Sequence, residues 1–233
     1  MYKRVLLKLS GEALAADNFP FNVETLDEVS KQIKQMVQLG IKVGVVIGGG
    51  NICRGRIFEK LGFDRVKSDY SGMLATVINS IMLEATLINN GVKAKALSVI
   101  EAQNVERYDI KKANEYLDDG YVLIFGGGYG LPHYSTDSGS AQRAIEINAE
   151  VILMAKTGVD GVYDKDPNQY NDAKRFDSLT FDDILRLNLQ VMDSQAAELC
   201  KENKICAFVF NMNEKDNIIK AAKNEAIGTI IKF

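Results

Sequence analysis

The chain reads as an α/β protein, with a mostly parallel sheet sandwiched between helix layers. Three observations predict this. Short apolar runs recur along the chain, at 5–9, 43–47, 94–99, 121–125, 151–154, 207–210 and 229–232, several of them rich in Val and Ile. Between many of them lie segments whose apolar residues return at helical spacing, such as Leu26, Val29, Ile33, Met36 and Val37. The bulk is globular: 233 residues, 46% hydrophobic and 25% charged, which suits one compact unit. Strands that alternate with helices need crossover connections, and these cover both faces of the sheet.

Taken in order, the first strand ends in K-L-S-G at residues 8–11. A polar loop follows, and Asn22 is a good cap for the first helix, which Gly40 closes. The next strand runs straight into Gly48, Gly49, Gly50 and Asn51. A loop bearing Arg54, Arg56 and Arg65 leads to a long helix starting at Asp69 or Ser71 and ending at Gly91. After the strand at 94–99 comes a weak helix at 110–117. The strand at 121–125 delivers a second glycine cluster, Gly126, Gly127, Gly128 and Gly130. A helix near 137–148 and a strand at 151–154 complete this half. From Lys156 the chain is turn-rich, and 157–167 suits a short hairpin and loop. Helices are expected at 182–187, 193–202 and 215–223, the first two opening on an aspartate. A soft boundary near Glu150 separates an acceptor half, about 1–150, from a nucleotide half, about 151–233, within a single domain spanning 1–233.

Composition narrows the function. Net charge is -3, so neither nucleic acid nor an anionic membrane surface is favoured as a partner. Cys53, Cys200 and Cys206 are scattered without C-x-x-C spacing, which fits a reducing cytosol and no zinc site. The N-terminus, Met1-Tyr2-Lys3-Arg4, enters a strand at once, so no signal peptide and a cytoplasmic location are expected. The apolar stretch 73–88 contains Thr76, Asn79, Ser80, Glu84 and Thr86 and is not expected to span a membrane. No G-x-x-x-x-G-K-[ST] occurs, and Leu131 breaks a G-x-G-x-x-G reading of the second glycine cluster. The sole histidine, His133, reads as a surface or lining residue.

What remains is a phosphate site. Ligands of open α/β sheets bind outside the carboxyl ends of the strands, where K-L-S-G and G-G-G-N would meet. Glycines let a bulky anion approach backbone N–H groups, or they simply form a flexible loop. Asn51 adds an amide, and Arg54 a planar fork suited to phosphate. Lys8 would place a point charge on a phosphoryl group in transfer, a reaction that asks the protein for positioning and positive charge. Asp69 either accepts from two ribose hydroxyls or caps the following helix. Asp137 either caps a helix or orients Lys8 or a metal-bound water.

K-L-S-G, V-V-I-G-G-G-N, residues 72–76 (G-M-L-A-T), Thr136-Asp137-Ser138, residues 159–167 (V-D-G-V-Y-D-K-D-P), V-M-D at 191–193 and V-F-N-M-N at 209–213 together resemble the amino acid kinase family, over nearly the whole chain. Within it they resemble the bacterial branch that phosphorylates UMP. The resemblance implies ATP and UMP as substrates, ADP and UDP as products, Mg²⁺ with the ATP, an eight-stranded sheet and a homohexamer built from dimers. It implies an ATP site of Lys8, Leu9, Ser10, Gly11, Gly50, Arg54, Thr157, Tyr163 and Asp166. Its UMP site is Gly49, Asp69, Tyr129, Gly130, Leu131, Pro132, His133, Tyr134, Ser135 and Thr136. Lys8, Arg54, Asp137 and Asp193 are the expected catalytic groups. The rivals are a relative that makes an acyl phosphate from aspartate or acetylglutamate, and a non-catalytic nucleotide-binding protein. The loop after Ala13 departs from the family pattern by lacking its glycines, and the chain is one residue longer around 156–158.

Finally, the long helix carries Met73, Leu74, Val77, Ile78, Ile81, Met82, Leu83, Leu87 and Ile88, which point in nearly every direction. A helix apolar all round is buried all round, so it is expected to pack against its own copy across a two-fold axis.

Overall fold

The computed structural model describes residues 1–17, 19–53, 58 and 61–233. Its frame is one sheet. β1 (Arg4–Leu9) sits near the middle, flanked in parallel by β2 (Lys42–Ile47) and, on the other side, β6 (Val151–Lys156). Outward from β2 come β5 (Val122–Gly126), β3 (Ala94–Ser98) and the short β4 (Glu106–Arg107). Outward from β6 come β8 (Cys206–Asn211), β9 (Thr229–Lys232) and β7 (Ser178–Thr180), with β9 antiparallel to β8. Among the described residues the sheet thus has nine strands where eight were expected. The surplus lies at the edges: β4 and β7 are too short to show a period-two pattern in the sequence. The hairpin expected at 157–167 does not form. That segment is a chain of turns, tied down by an isolated bridge between Tyr163 and Arg175.

Strand side chains alternate between two helix layers. Val5, Leu7 and Leu9 of β1, Val43, Val45 and Ile47 of β2, and Leu153 of β6 share one core with α1 (Val23–Gln38), the buried side of α2 (Arg65–Asn89) and α7 (Asn217–Ala222). Leu6, Val46, Phe125, Ile152 and Met154 share the other core with α3 (Ile110–Asp118), α4 (Thr136–Glu146), α5 (Phe181–Arg186) and α6 (Ser194–Glu202). Fully burying each such aliphatic side chain contributes about 1.5–3 kcal/mol, so these two layers hold the sheet.

Caps decide where the helices begin. Asn22 accepts from the Thr25 amide, as its position suggested. α2, however, starts at Arg65, with Asp64 accepting from the Lys67 amide. The start expected at Asp69 or Ser71 is therefore one turn or more too late, and Asp69 is not a cap. Thr180, through a capping box with Asp183, opens α5 in place of Asp182. Asp193 caps α6 as expected.

α2 is long and apolar enough to cross a membrane by length and composition. Its inner side explains much of that apolarity: Met73, Val77, Leu83 and Leu87 are buried within the chain. Its outer side is different. Tyr70, Leu74, Ile78 and then Ile81 and Met82 are exposed and follow one another at three or four residues, and Ile88 is exposed two turns beyond Ile81.

Candidate active site

The carboxyl ends of β1, β2, β5 and β6 converge on one edge, and Lys8 stands at its centre. Leu6 faces the α4 layer, so Lys8, two residues on, faces it too. There its ammonium pairs with the Asp137 carboxylate in the first turn of α4. The two side chains are 15% and 20% exposed, so each loses much hydration and the other is its compensating partner. Asp137 is not the cap of its helix. Ser135 takes that place, its hydroxyl oxygen accepting from the amides of Asp137 (2.9 Å) and Ser138 (3.2 Å). Of the two readings of Asp137, orienting Lys8 is the one its geometry supports.

The first glycine turn is closely packed. A Cβ on Gly11 would lie 2.2 Å from the Gly48 carbonyl oxygen, and one on Gly49 would lie 2.8 Å from that of Gly72. These glycines let the β1 and β2 turns and α2 touch through their backbones. Asn51 is not a ligand amide, contrary to its sequence reading. It donates to the Pro20 carbonyl (2.8 Å), and it exchanges hydrogen bonds with the buried Asn79. Asn79 in turn donates to the Gly48 carbonyl (2.7 Å), fixing the turn to α2. Leu9 is wholly buried and offers the site only its backbone. The expected Arg54 lies outside the described residues.

The second glycine cluster meets the same helix. The Gly127 amide donates to Thr76 Oγ1 (2.8 Å), and Gly127 and Gly128 hold φ values of +86° and +61° that L side chains rarely adopt. Between the two clusters lies a cleft of about 490 Å³, walled by Gly49, Gly50, Asp69, Tyr129, Leu131, His133, Tyr134, Ser135 and Thr136. Most of the expected acceptor residues are thus brought together, while Gly130 and Pro132 shape the loop without lining the cleft. Asp69 receives the Arg65 Nε–H on both oxygens, each at 2.9 Å, and the His133 backbone amide at 2.8 Å. Arg65, read from the sequence as a loop residue, belongs to the cleft wall. Tyr129 and Tyr134 stack at 4.1 Å on the rim, nearly parallel.

Asp193 joins this cleft to α6. It caps that helix through the Ala196 amide (2.8 Å) and accepts from the hydroxyls of Ser135 and Ser138. A carboxylate so engaged positions the N-terminal ends of α4 and α6. It makes no contact with Lys8 or Asp137 of the kind a proton carrier there would need.

Beyond β6 lies a second cleft, of about 460 Å³, walled by Lys156, Val159, Tyr163, Asp166, Pro167 and the 187–191 loop. Tyr163 and Asp166 both line it. Thr157 is exposed and does not line it, whereas its neighbour Lys156 does. Tyr163 also borders a polar hollow with Asp160, Asn211 and Lys220. Lys156 escaped the sequence reading because the strand was expected to end at Met154, which left it at the head of a turn-rich segment, whereas β6 runs on to include it. Its Nζ donates to the Val191 carbonyl at 3.0 Å. Burial pushes its ammonium down to about 8, with the like charge of Lys8 adding to the fall and Asp137 opposing it.

Comparison with known proteins gives the chain's family. The model of the amino acid kinase family matches residues 3–211. A uridylate kinase from Limosilactobacillus reuteri is 46% identical over 233 residues, covering 99% of this chain and 97% of that protein. The crystal structure of UMP kinase from Bacillus anthracis superposes with a TM-score of 0.95 at 43% identity, covering 99% of this chain and 96% of that one. UMP kinase from Ureaplasma parvum gives the same TM-score at 35% identity, with both chains covered in full. On a family match that spans most of the chain, and on relatives that share its length and its sheet, this protein belongs to the amino acid kinase family.

Proposed function

We propose that the protein transfers the γ-phosphoryl group of ATP to UMP, giving ADP and UDP, a step of pyrimidine nucleotide synthesis. The observation that carries this reading is the placement of Lys8. It stands at the strand ends near an acceptor-side cleft containing Asp69 and a donor-side cleft containing Tyr163 and Asp166. The names of the relatives supply the substrates.

UMP takes the acceptor half, about 1–150. Asp69, held by Arg65 and the His133 amide, accepts from the ribose hydroxyls, and the loop 129–136 receives the base. A carboxylate there repels an acidic amino acid, which argues against the acyl-phosphate reaction. ATP takes the half at about 151–233, with its adenosine beside Tyr163 and Asp166. Lys8, oriented by Asp137, meets the charge that develops on the phosphoryl group as it moves between oxygens. Ser10, Gly11 and Gly50 supply backbone contacts at the strand ends, and Arg54 is assigned to the phosphates by the resemblance alone. Mg²⁺ bound together with ATP would supply neutralisation of the phosphate charge. Among the described residues no group of three or more His, Cys, Asp or Glu side chains could cage a metal.

The protein works in the cytoplasm as a homohexamer of α2-paired dimers, with neither nucleic acid nor membrane as a partner. ADP release from ATP–Mg²⁺ with UMP, CMP, dCMP, aspartate or acetylglutamate tests the reaction. UMP is the expected acceptor. Release with an amino acid instead would assign the acyl-phosphate reaction, and release with none would leave a binding protein.

A further inference from the structure

The site just described uses one lysine, yet the strand ends carry two. β6 lies beside β1, with Ala155 in register with Leu9, so Lys156 is the next residue out along the same edge. Ile152 and Met154 face the α4 layer, and the alternation turns Lys156 toward the layer that Lys8 faces. Neighbouring strands are about 4.8 Å apart, and this step leads from Lys8 toward the donor cleft.

Lys156 is mostly buried, and among the described residues no carboxylate pairs with it. Its recorded partner is a neutral one, the carbonyl of Val191. A buried ammonium satisfied by one neutral acceptor is an expensive arrangement for a fold to keep. A lysine that served only to hold the 187–193 loop is replaceable by an uncharged donor at lower cost. The charge therefore points to an anion that arrives later. The charged groups that act on it are Lys8 on β1 and Asp137 on α4, while Tyr163, Asp164, Lys165 and Asp166 share its cleft. Asp137 is already paired with Lys8, and like-charge repulsion from Lys8 is relieved by a polyanion lying across both ammonium groups.

We propose that Lys156 binds the phosphates of the donor nucleotide that remain on ADP, leaving the Val191 carbonyl to do so. Lys8 serves the phosphoryl group in transit, and Lys156, one strand nearer the donor cleft, serves the group left behind. Because Val191 belongs to the loop that leads into Asp193 and α6, release of its carbonyl also connects donor binding to the wall of the acceptor cleft. The inference rests on the kinase reading and is separable from it.

The test is calorimetric titration of ADP and, separately, of UMP into the parent protein, Lys156→Gln, Lys156→Met and Lys156→Arg, with thermal melts of each. Lys156→Gln keeps an N–H donor, on a side chain one bond shorter, and removes the charge. Both uncharged variants should bind ADP on the order of tenfold more weakly, and UMP within about twofold of the parent. Lys156→Arg should restore ADP affinity to within about threefold. In the parent, ADP affinity should be full below about pH 8 and fall as pH rises through it, since the free lysine then loses the proton that the complex requires. Lys156→Gln should lack that fall. The inference is overturned if Lys156→Gln binds ADP as the parent does. It is overturned equally if ADP and UMP binding weaken together with a lowered melting temperature, which would make Lys156 a loop tether. A parent protein that binds ADP through Lys156 but makes no UDP would overturn the kinase reading and leave this inference standing.

Discussion

Lys8 sits where a lysine costs the fold something, between the core residues Leu7 and Leu9 of β1. Its stability rests on Asp137, and the pair is worth keeping only if the ammonium has work to do. Lys8→Met should lower turnover on the order of 10² or more, the usual effect of removing a charge that meets the transition state. It should also cost about 1–3 kcal/mol of stability, because Asp137 is left without its partner. Steady-state rates and urea unfolding measure the two effects, and turnover within threefold of the parent would remove Lys8 from the mechanism. Asp69 carries a different prediction. Its oxygens already receive Arg65 and the His133 amide, so it is pre-oriented rather than free to swing. Asp69→Asn replaces one acceptor by a donor and loses the two-oxygen grip. UMP binding should weaken about tenfold while binding of an unreactive ATP analogue changes less than about twofold. Equal weakening of both ligands would refute the ribose assignment.

At the scale of elements, the α4–α6 junction holds the site's shape. Asp193 closes it by capping α6 and receiving two serine hydroxyls from the start of α4. Asp193→Ala should cost about 1–2 kcal/mol, a cap's usual worth, with turnover of the folded enzyme reduced less than about tenfold. A loss in turnover like that of Lys8→Met, without a fall in melting temperature, would make Asp193 a catalytic group after all. Much of this level was legible in the sequence. The apolar runs located seven of the strands, because buried strands need continuous apolar residues. The edge strands β4 and β7 were not legible, since pairing of two or three residues is decided by what lies beside them. The start of α2 was misplaced because Asp64 and Asp69 are equally plausible caps on paper. The site was legible where it follows from strand ends, as with Lys8 and the glycine turns. It was not legible where distant segments meet: Asn51 looked like a ligand amide until Asn79 on α2 was seen to occupy it. Lys156 looked like the start of a turn-rich segment, and only its burial and its cleft set it apart.

At the scale of the whole molecule, α2 remains unfinished within one chain. Its inner stripe is buried against the sheet, and its outer stripe of Tyr70, Leu74, Ile78, Ile81, Met82 and Ile88 is left exposed. Monomers rarely expose so continuous an apolar surface. The expected cover is the same helix of a second copy, with Met82 adapting to the seam. Ile81→Glu should then convert the assembly to smaller species by placing charges near the two-fold axis. Size-exclusion chromatography with light scattering on both proteins checks this, and a parent protein that is monomeric at micromolar concentration would refute it. On the proposed reaction, the acceptor-side and donor-side clefts deliver their phosphates to Lys8, which lies at the strand ends. The most direct measurement is a crystal structure with UMP and a non-hydrolysable ATP analogue bound together. The expected result has UMP between Asp69 and the 129–136 loop, the adenosine beside Tyr163 and Asp166, and the two phosphate chains converging within hydrogen-bond reach of Lys8. Either nucleotide bound elsewhere, or phosphates that converge away from Lys8, would contradict it.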